Sequence, residues 1–369
     1  MQNEIKTSTK KDLEKFIENS SFKKIFLLAG NTSYAESGLK NFFSIFKKKK
    51  IKFFFKKRNI PEYEELITII NEINKFNPDL VIAAGGGSVL DYAKIANVLH
   101  VSNSLKDDIS NSEYKLIKPN RKLLAIPTTA GSGAEVTSNA VIYLNNIKYS
   151  IEGNLVKPDF YFLIPDFVKG ASNKIKSSAG FDAISQAMES LISKKSNDES
   201  VCYSIESLKI SLKYFHDFLK NPSNDNTCAM LYASNLAGKA ISISKTTAPH
   251  AVSYPFTSYF DISHGHAVSL TLSKFMLFNY ENIKFADCNF SLIDRFKVIF
   301  NLTKTNNIYD LRNYINQVSE KAKLENNFDK LGIDINSSID KILKDVNNQR
   351  LANNPVKIEK ENIKSILLA

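Results

Sequence analysis

Three of the chain's few histidines lie close together in the sequence. The whole protein has five histidines, and His250, His264 and His266 all fall in the segment A-P-H-A-V-S-Y-P-F-T-S-Y-F-D-I-S-H-G-H at 248–266. Imidazole is the commonest transition-metal ligand and the usual proton carrier near neutral pH. The window therefore indicates either a metal or proton-transfer site, or three satisfied or exposed histidines in a loop.

A glycine run in the first half has the chemistry of a phosphate-binding turn. The segment L-V-I-A-A-G-G-G-S-V-L-D-Y-A-K at 80–94 places an apolar strand before Gly86, Gly87 and Ser88, and a helix after them. Glycines let the backbone approach a bulky anion, and the free N–H groups of a helix N-terminus attract negative charge. We expect Ser88 to add a hydroxyl and Asp91 to cap the first turn. The pattern is neither G-x-G-x-x-G nor a Walker A loop, and it favours pyrophosphate binding over a merely tight turn.

A second polar loop, P-T-T-A-G-S-G-A-E-V-T at 127–137, also follows an apolar strand. Its side chains predict hydrogen-bond donors to a nucleotide at Thr128, Thr129 and Ser132, and the predicted cofactor site extends to Thr137. Alone, the segment reads as an ordinary polar loop. Beside the glycine run, it reads as the second wall of one cleft, at the carboxyl ends of the strands where open α/β sheets bind ligands.

The elements that position these loops alternate between strands and helices up to about residue 165. The predicted strands are 24–30, 51–55, 80–85, 123–127, 141–144 and 161–165, and segments such as 60–76 have apolar residues at helical spacing. This alternation predicts a doubly wound, mainly parallel sheet. Later segments predict helices at 174–194, 198–220, 226–243 and 264–282. We therefore expect an α/β dinucleotide-binding domain at 1–165 and a helical metal- and substrate-binding domain at 166–369.

The composition is that of a globular protein with two domains. The chain has 369 residues, of which 43% are hydrophobic and 24% are charged, and no apolar run is long enough to span a membrane. The absence of an apolar signal core at the start predicts a cytoplasmic location. The three cysteines form no CxxC pair, so they predict neither a disulfide framework nor a thiolate metal site.

The net charge of +11 has its densest patch at 46–58, F-K-K-K-K-I-K-F-F-F-K-K-R. Lysines interleaved with phenylalanines are compatible with a nucleic acid or an anionic membrane as partner. The same residue types are abundant along the whole chain, and Phe53, Phe54 and Phe55 suit a buried strand beside a solvated basic end. We therefore predict a small-molecule substrate, no nucleic acid and no membrane as partner, and a homo-oligomer, most simply a dimer.

Together these segments resemble the iron-containing (group III) alcohol dehydrogenase family, which is related to glycerol dehydrogenase and dehydroquinate synthase. The resemblance rests on G-G-G-S-x-x-D-x-A-K at 85–94, P-T-T-A-G-S-G-A-E-V-T at 127–137, G-F-D-A at 180–183 and the histidine window. It implies a dehydroquinate synthase-like fold, with a nucleotide-binding α/β domain followed by a helical, metal-binding domain. It also implies oxidation of alcohols or reduction of aldehydes with a nicotinamide cofactor.

The resemblance also implies a set of metal ligands. Family members hold a divalent ion, Fe²⁺ or Zn²⁺, with an aspartate, a histidine one helical turn later and two further histidines; Asp182, His250 and His264 match three of them. Gln186 stands where the second ligand is usually a histidine, and its neutral amide is a weaker ligand than imidazole. We expect a bound ion, and the alternatives are loose binding, recruitment of His266 as a ligand or catalysis without metal.

Three further positions carry implied roles. Tyr254 occupies a place where many family members have a histidine near the nicotinamide; a phenol can donate a hydrogen bond or a proton, or can simply pack as an aromatic. Tyr254 and His266 are accordingly the predicted catalytic residues. Lys148 matches a family lysine near the cofactor and the substrate. The stretch 27–34, L-L-A-G-N-T-S-Y, lacks the acid that holds the ribose 2′-hydroxyl in NAD-selective members, so NADP(H) is allowed and favoured.

Within the family, the chain looks most like the phosphonoacetaldehyde reductase branch, which makes 2-hydroxyethylphosphonate. The segments that carry this likeness are 179–190, 244–258 and R-L-A-N-N-P-V at 350–356. Lys245 and Thr246 are the predicted receptors of the phosphonate, with Lys245 as point charge, although Lys245 also reads as a surface lysine. The alternatives are a generic aldehyde or polyol dehydrogenase of the same superfamily, or a non-catalytic nucleotide- or nucleic-acid-binding protein.

Overall fold

The computed structural model describes residues 5–145 and 147–369. They divide into two compact units. The first unit contains the described residues up to Ser172 and also Pro222–Asn235, and the second contains Asn173–Asn221 and Leu236–Ala369. The division differs from the predicted domains 1–165 and 166–369 chiefly because a segment from the helical half belongs to the first unit.

Polar contacts explain why Pro222–Asn235 belongs to the first unit. The amide of Asn235 donates a hydrogen bond of 2.9 Å to the carboxylate of Glu135, and both side chains are buried. The hydroxyl of Thr7 contacts the sulfur of Cys228 at 3.5 Å. Neither contact has a signature in the local sequence pattern, because its partners are far apart along the chain.

The first unit is built on a parallel sheet of five strands in the order β2-β1-β3-β4-β7. The strands of the described residues are β1 (Lys24–Gly30), β2 (Lys50–Lys56), β3 (Leu80–Gly85), β4 (Lys122–Pro127), β5 (Asn139–Leu144), β6 (Ile147–Glu152) and β7 (Phe160–Tyr161). Its helices are α1 (Lys10–Asn19), α2 (Asn31–Glu36), α3 (Leu39–Phe43), α4 (Tyr63–Phe76), α5 (Gly87–Val98) and α6 (Leu105–Asn111). The predicted parallel α/β fold is confirmed.

Both faces of the sheet are buried, which makes the sheet doubly wound. Along β1, Phe26 and Leu28 belong to a core shared with α4 and α5, whereas Ile25 and Leu27 belong to a second core shared with α1 and α3. Successive side chains of a strand point to opposite faces. A strand that is apolar throughout therefore requires helices on both faces.

Two predicted strands take a different form. Residues predicted as the strand 141–144 lie in β5, which pairs antiparallel with β6 in a separate two-stranded sheet. The alternating segment I-K-Y-S-I-E of β6 supplies the partner, and the prediction missed it. The strand predicted at 161–165 is confined to β7, because a 3₁₀ turn, Pro165–Phe167, begins at the proline.

The basic patch includes β2, which is one of the two edge strands of the sheet. Phe53 is 40% exposed, so the prediction that it is buried was wrong; an edge strand has a neighbour on one side only. The ammonium groups of Lys24, Lys50 and Lys52 all lie over the ring of Phe76, at 5.1, 5.9 and 5.8 Å from its centroid. Lysines on an exposed edge also discourage pairing with strands of other molecules.

The second unit is helical, as predicted. Its helices are α7 (Asn173–Ile192), α8 (Asp198–Lys220), the later turns of α9 (Asn224–Ser244), α10 (Ala248–Phe260), α11 (His264–Ser269), α12 (Leu272–Glu281), α13 (Leu292–Thr303), α14 (Ile308–Lys321), α15 (Ile335–Lys344), α16 (Asn348–Leu351) and α17 (Lys360–Leu368). The helix predicted at 264–282 is broken into α11 and α12 near Thr271, whose hydroxyl donates to carbonyl oxygens of Pro249 and Val268. No helix among the described residues combines the length and apolar character needed to cross a membrane.

Candidate functional site

A buried polar stripe runs along α7 in the second unit. Asp182, Gln186 and Glu189 follow one another at intervals of one helical turn, so their side chains share one face of the helix. They are 4%, 3% and 0% exposed, respectively. Three buried polar side chains in a row need polar partners, because burying such groups without them is costly.

Asp182 is the point at which these partners meet. Its Oδ1 lies 3.1 Å from Nε2 of His250 on α10 and 3.9 Å from Nε2 of His264, the first residue of α11. Ligand atoms of Asp182, His250 and His264 all lie within 4.8 Å of one another. A tetrahedral ion with oxygen and nitrogen ligands at about 2.1 Å holds those atoms about 3.4 Å apart. The three predicted ligands therefore have the spacing that one ion requires.

Gln186 completes the fit. Its amide nitrogen donates to Oδ2 of Asp182 at 3.1 Å, an orientation that avoids placing the amide oxygen against a carboxylate. The Oε1 atom is buried and has no hydrogen-bond partner among the described residues. A buried, unsatisfied carbonyl oxygen costs roughly 1–3 kcal/mol, and a cation beside the cluster would satisfy it. The donor set of a carboxylate, two imidazoles and an amide oxygen thus fits a divalent ion.

The approach of His264 depends on the glycine that follows it. A Cβ atom at Gly265 would lie 1.9 Å from the carbonyl oxygen of Ser178 and 2.9 Å from Cβ of Asp182. Helix α11 can pack this closely against α7 only because that position has no side chain. Gly265 therefore sets the distance between His264 and Asp182.

Glu189 orients His250, and sequence reasoning missed it. One carboxylate oxygen of Glu189 contacts Nδ1 of His250, while the other accepts hydrogen bonds from the backbone N–H and the hydroxyl of Thr247 at 2.8 and 2.9 Å. Burial disfavours the charged imidazole, but Glu189 and Asp182 outweigh this effect and raise the pKa of His250 to about 9. The carboxylates thus favour a cation at this position, and Glu189 fixes the ring so that Nε2 faces Asp182. The spacing of Glu189 from Asp182, two helical turns, was the available signal.

Tyr254 lies beside the cluster on α10. Its ring centroid is 5.5 Å from that of His264, and its hydroxyl forms side-chain hydrogen bonds with Thr246 and Arg350. Burial raises the pKa of the phenol above its usual value, while the positive charge of Arg350 opposes the increase. The ring packs against His264, as the packed-aromatic alternative expects. The hydroxyl has polar partners, so its predicted catalytic role stays a prediction.

His266 does not join the cluster. Its Nε2 lies 2.8 Å from the backbone carbonyl oxygen of Glu325, and its backbone N–H donates to the hydroxyl of Ser178. Residues two apart on a helix point in different directions, so the ring is directed away from that of His264. The structure therefore supports neither a catalytic role for His266 nor its recruitment as a ligand.

The two predicted substrate residues lie at the junction of α9 and α10. Thr246 is 5% exposed and contacts the Tyr254 hydroxyl. Lys245 is half-buried and adopts a left-handed backbone conformation, with φ of 61°, as α9 ends. Arg350, a buried cation that the prediction left without a role, also hydrogen-bonds the Tyr254 hydroxyl.

The two predicted phosphate loops of the first unit lie side by side. They follow β3 and β4, which are adjacent parallel strands, and the N–H of Thr128 donates to the carbonyl of Gly85 at 3.0 Å. A Cβ atom at Gly86 would lie 3.5 Å from Thr129, and one at Gly87 would lie 3.1 Å from the Ser132 hydroxyl. The glycines thus keep open a space beside these hydroxyls and the first turn of α5.

The first turn of α5 has the free donors expected of an anion site. Gly86 is its N-cap residue and provides no side-chain cap, and the first intrahelical hydrogen bonds are donated by Val89 and Leu90. The N–H groups of Gly87 and Ser88 precede those bonds. Because the loop has this polarity and lacks side chains at two positions, its residues fit a pyrophosphate.

Thr137, a predicted cofactor residue, has a structural partner within the first unit. Thr137 is 3% exposed, and its hydroxyl accepts a hydrogen bond of 2.7 Å from the ammonium of Lys94. Lys94, which is completely buried, also donates to the carbonyl oxygens of Ala134 and Asn139 at 2.9 and 2.6 Å. Thr137 therefore helps Lys94 to tie the second loop to α5, a role that the prediction of direct cofactor contact missed.

Asp91 does not cap α5, contrary to the prediction, because it lies beyond the first turn. Its carboxylate accepts a hydrogen bond from the backbone N–H of Val141. Burial raises the pKa of Asp91 to about 6, although Lys94, Lys148 and the Val141 N–H favour the ionised form. Lys148, on β6, is thus an electrostatic partner of Asp91, and its predicted contact with the cofactor stays a prediction.

Comparison with protein families settles the wider relationship. Residues 5–165 match the model described as iron-containing alcohol dehydrogenase, and residues 176–369 match the C-terminal model of the Fe-containing alcohol dehydrogenase family. The chain belongs to this family. The resemblance predicted from the glycine run, the second loop and the histidine window is confirmed, and the family is one of oxidoreductases.

The curated relatives of this chain have names that differ in the compound acted on. The chain is 30% identical over 238 residues to 4-hydroxybutyrate dehydrogenase from Clostridium kluyveri, a match that covers 62% of this chain and 63% of the relative. It is 27% identical over 235 residues to phosphonoacetaldehyde reductase from Streptomyces viridochromogenes, covering 61% and 59%, respectively. The matches thus span about three fifths of the length of these relatives.

Solved structures of the family share the fold over nearly the whole chain. Sulfoacetaldehyde reductase from Bifidobacterium kashiwanohense, in complex with NAD⁺, has a TM-score of 0.86 at 22% identity and covers 98% of this chain and 95% of its own. The iron-containing alcohol dehydrogenase from Thermococcus thioreducens has the same TM-score at 21% identity, covering 98% and 96%. At these identities, the likeness establishes the fold.

The glycine turn generates a prediction for nucleotide binding. In Gly87→Val, the new side chain would fill the space beside Ser132, where we expect the pyrophosphate. We expect the dissociation constant of NADPH to rise by roughly tenfold or more, since about 1.4 kcal/mol of lost contact is a factor of ten. The change in NADPH fluorescence on binding measures this dissociation constant.

Gly85→Ala is the matched control for that variant. Its Cβ would lie 2.5 Å from a methyl group of Val89, so we expect overpacking to cost about 1–3 kcal/mol of stability and to lower the melting temperature. Gly87→Val should affect affinity far more than melting temperature. Unchanged NADPH affinity in Gly87→Val would contradict the assignment of this turn to the pyrophosphate.

The orphaned oxygen of Gln186 generates a prediction for metal affinity. Replacing a neutral amide oxygen by imidazole in Gln186→His should strengthen Zn²⁺ or Fe²⁺ binding by about tenfold or more, and Gln186→Ala should weaken it. Competition with a chromophoric chelator measures both affinities on the purified protein, independently of any enzyme activity.

Gln317→His is the matched control, because it makes the same change at an exposed position of α14. It should leave metal affinity at the wild-type value. If Gln186→Ala bound metal as tightly as the wild type, Gln186 would not be a ligand.

Proposed function

We propose that this protein is an NAD(P)H- and metal-dependent reductase of short aldehydes, acting in reverse as an alcohol dehydrogenase. The observation that carries the proposal is the convergence of Asp182, His250 and His264 beside the unsatisfied amide oxygen of Gln186. Such a donor set suits a divalent ion of intermediate softness. Membership of the iron-containing alcohol dehydrogenases supports the assignment of Fe²⁺, with Zn²⁺ as the alternative.

The reaction transfers a hydride from the nicotinamide to the carbonyl carbon and a proton to the carbonyl oxygen. A bound divalent ion would supply Lewis-acid polarisation of that oxygen. His264 is 33% exposed at its side chain, so the cluster is accessible from solvent, whereas His250 is held in place by Glu189. Tyr254 is the proposed proton donor, since its hydroxyl oxygen already receives hydrogen bonds from Thr246 and Arg350.

The cofactor is proposed to be NADPH, held through its pyrophosphate by Gly86, Gly87 and Ser88 together with Thr128, Thr129 and Ser132. At the carboxyl end of β1, the chain presents Gly30 and then α2, which begins with N-T-S and has no acidic residue in its first turn. An acid there would repel a 2′-phosphate. The neighbouring strand β2 ends at Lys56, whose positive charge also favours a phosphorylated ribose.

The finer proposal is a substrate that carries an acidic group, with phosphonoacetaldehyde and its product 2-hydroxyethylphosphonate as the candidates. Both curated relatives described above act on compounds with such a group, a carboxylate in one and a phosphonate in the other. The first of these also favours 4-oxobutanoate, the aldehyde of 4-hydroxybutyrate, as a second candidate. A cytoplasmic location and homodimeric assembly stay predictions.

A substrate panel tests the proposal. Purified, iron-loaded protein is mixed with NADPH or NADH and with phosphonoacetaldehyde, 4-oxobutanoate or butanal. The decrease in absorbance at 340 nm measures the rate of dinucleotide oxidation. We expect NADPH to be oxidised, the rate to disappear on chelation, and kcat/KM to be about tenfold or more higher for an acidic aldehyde than for butanal.

Each part of the proposal can fail separately. Equal values for butanal and the acidic aldehydes would leave a generic aldehyde reductase. If no aldehyde supported oxidation of either dinucleotide, although NADPH still bound, the non-catalytic alternative would replace the enzymatic one. Activity that survives exhaustive chelation would contradict the role of the metal.

A further inference from the structure

Arg350 is a buried cation that the proposed reaction uses only as a hydrogen-bond donor to Tyr254. It is 7% exposed and lies in the single-turn helix α16. The side-chain oxygen of Asn347 accepts a hydrogen bond of 2.9 Å from the backbone N–H of Arg350 and thereby caps this helix. Arg350 therefore lies in a defined helical turn.

The segment around Arg350 is tied to the elements that carry the site. The backbone N–H of Asn347 donates to the carbonyl of Ala251, the residue after the metal ligand His250, at 3.3 Å. The amide of Asn353 donates to the carbonyl of Thr246 at 3.1 Å. Hydrogen bonds on both sides of Arg350 thus tie its backbone to α10 and to Thr246, just before α10.

The side chain of Tyr254 lies between the guanidinium of Arg350 and the metal cluster. Arg350 hydrogen-bonds the hydroxyl of Tyr254, Thr246 contacts the same hydroxyl, and the Tyr254 ring packs against His264. A cation and two hydroxyls, including that of Tyr254 itself, are therefore grouped at the end of the side chain whose ring packs against His264. The arrangement places a receptor for negative charge beside the position at which a carbonyl would be reduced.

The chemistry of guanidinium fits an oxyanion better than that of the lysine predicted for the role. Arginine offers five donors in a rigid fork that matches carboxylate, sulfonate and phosphonate groups. Such charge-assisted pairs are strong when buried. Lys245 is half-buried, and an ammonium group is a strongly hydrated point charge.

We propose that Arg350, assisted by the Thr246 hydroxyl, binds the acidic group of a short aldehyde substrate and so selects oxyanion-bearing aldehydes over neutral ones. This inference rests on the proposed function, and it replaces Lys245 as the principal receptor. Because Tyr254 contacts both His264 and Arg350, the acidic group and the carbonyl need be separated by only a short carbon chain.

The test compares selectivity among variants. Values of kcat/KM for phosphonoacetaldehyde, 4-oxobutanoate and butanal are measured for the wild type and for Arg350→Met, Arg350→Lys, Lys245→Met and Arg295→Met. Arg350→Met should reduce the ratio of acidic to neutral aldehyde by roughly 10- to 150-fold, the loss expected for a hydrogen-bonded charge pair. Arg350→Lys should fall between that variant and the wild type, because it keeps the charge and loses the fork.

Arg295→Met is the matched control, since it removes a half-buried guanidinium in the same unit that lies over the ring of Phe290, away from the described cluster. Its selectivity ratio should equal that of the wild type. Lys245→Met should lower the ratio less than Arg350→Met does. Melting temperature and metal content are measured on every variant, and Arg350→Lys decides the question if Arg350→Met does not fold.

A binding measurement separates this inference from the proposed function. Ethylphosphonate, ethanesulfonate and propanoate carry the acidic group but have no aldehyde to reduce. Titration calorimetry measures the affinity of the protein for each of them in the absence of turnover and shows which oxyanion binds most tightly. We expect at least one to bind the metal- and NADP⁺-loaded wild type roughly tenfold or more tightly than Arg350→Met. A wild type that oxidises no dinucleotide would count against the proposed function, whereas this titration would still test Arg350.

Three results would overturn the inference. The first is an unchanged selectivity ratio and unchanged oxyanion affinity in the Arg350 variants. The second is an equal loss with acidic and neutral aldehydes, which would mean that Arg350 acts through Tyr254 or through the fold. The third is a larger selective loss in Lys245→Met than in Arg350→Met.

Discussion

The carboxylate of Asp182 is the constraint on which the site in the second unit depends. It is 4% exposed, and a buried negative charge persists only when it is matched by cations or hydrogen-bond donors. Donors from α7 and α10 reach it directly, and His264 of α11 approaches it because Gly265 removes the side chain that would hold the helices apart. The same atoms that satisfy Asp182 therefore form the candidate metal site.

The residues that hold His250 beside Asp182 are positioned by hydrogen bonds of their own. Glu189 holds Nδ1 of His250 and is itself fixed by two hydrogen bonds from Thr247, so the imidazole has one defined orientation. In metal centres, such outer partners set the tautomer and basicity of the histidine. Lys94 has a comparable supporting role in the first unit, because its three hydrogen bonds fix the loop that faces the glycine turn.

Sequence reasoning succeeded where the signal is local and failed where it depends on distant residues. The glycine turn, the parallel strands and the helices have periodic or short patterns, and the family resemblance pointed to Asp182, His250 and His264, which the structure brings together. Glu189 and His250 are 61 positions apart, and no local pattern pairs them. The capping role predicted for Asp91 was wrong, and the structural role of Thr137 was missed, for the same reason: their partners, Val141 and Lys94, lie on other elements.

The central claim is that one divalent ion is shared by Asp182, Gln186, His250 and His264. Anomalous diffraction at the iron edge, from crystals of protein loaded with Fe²⁺ under anaerobic conditions, tests it most directly. The account predicts one strong peak about 2.0–2.2 Å from Oδ1 of Asp182, Oε1 of Gln186 and Nε2 of both histidines. A crystal with iron bound elsewhere and none at this cluster, or with His266 as a ligand in place of Gln186, would contradict it.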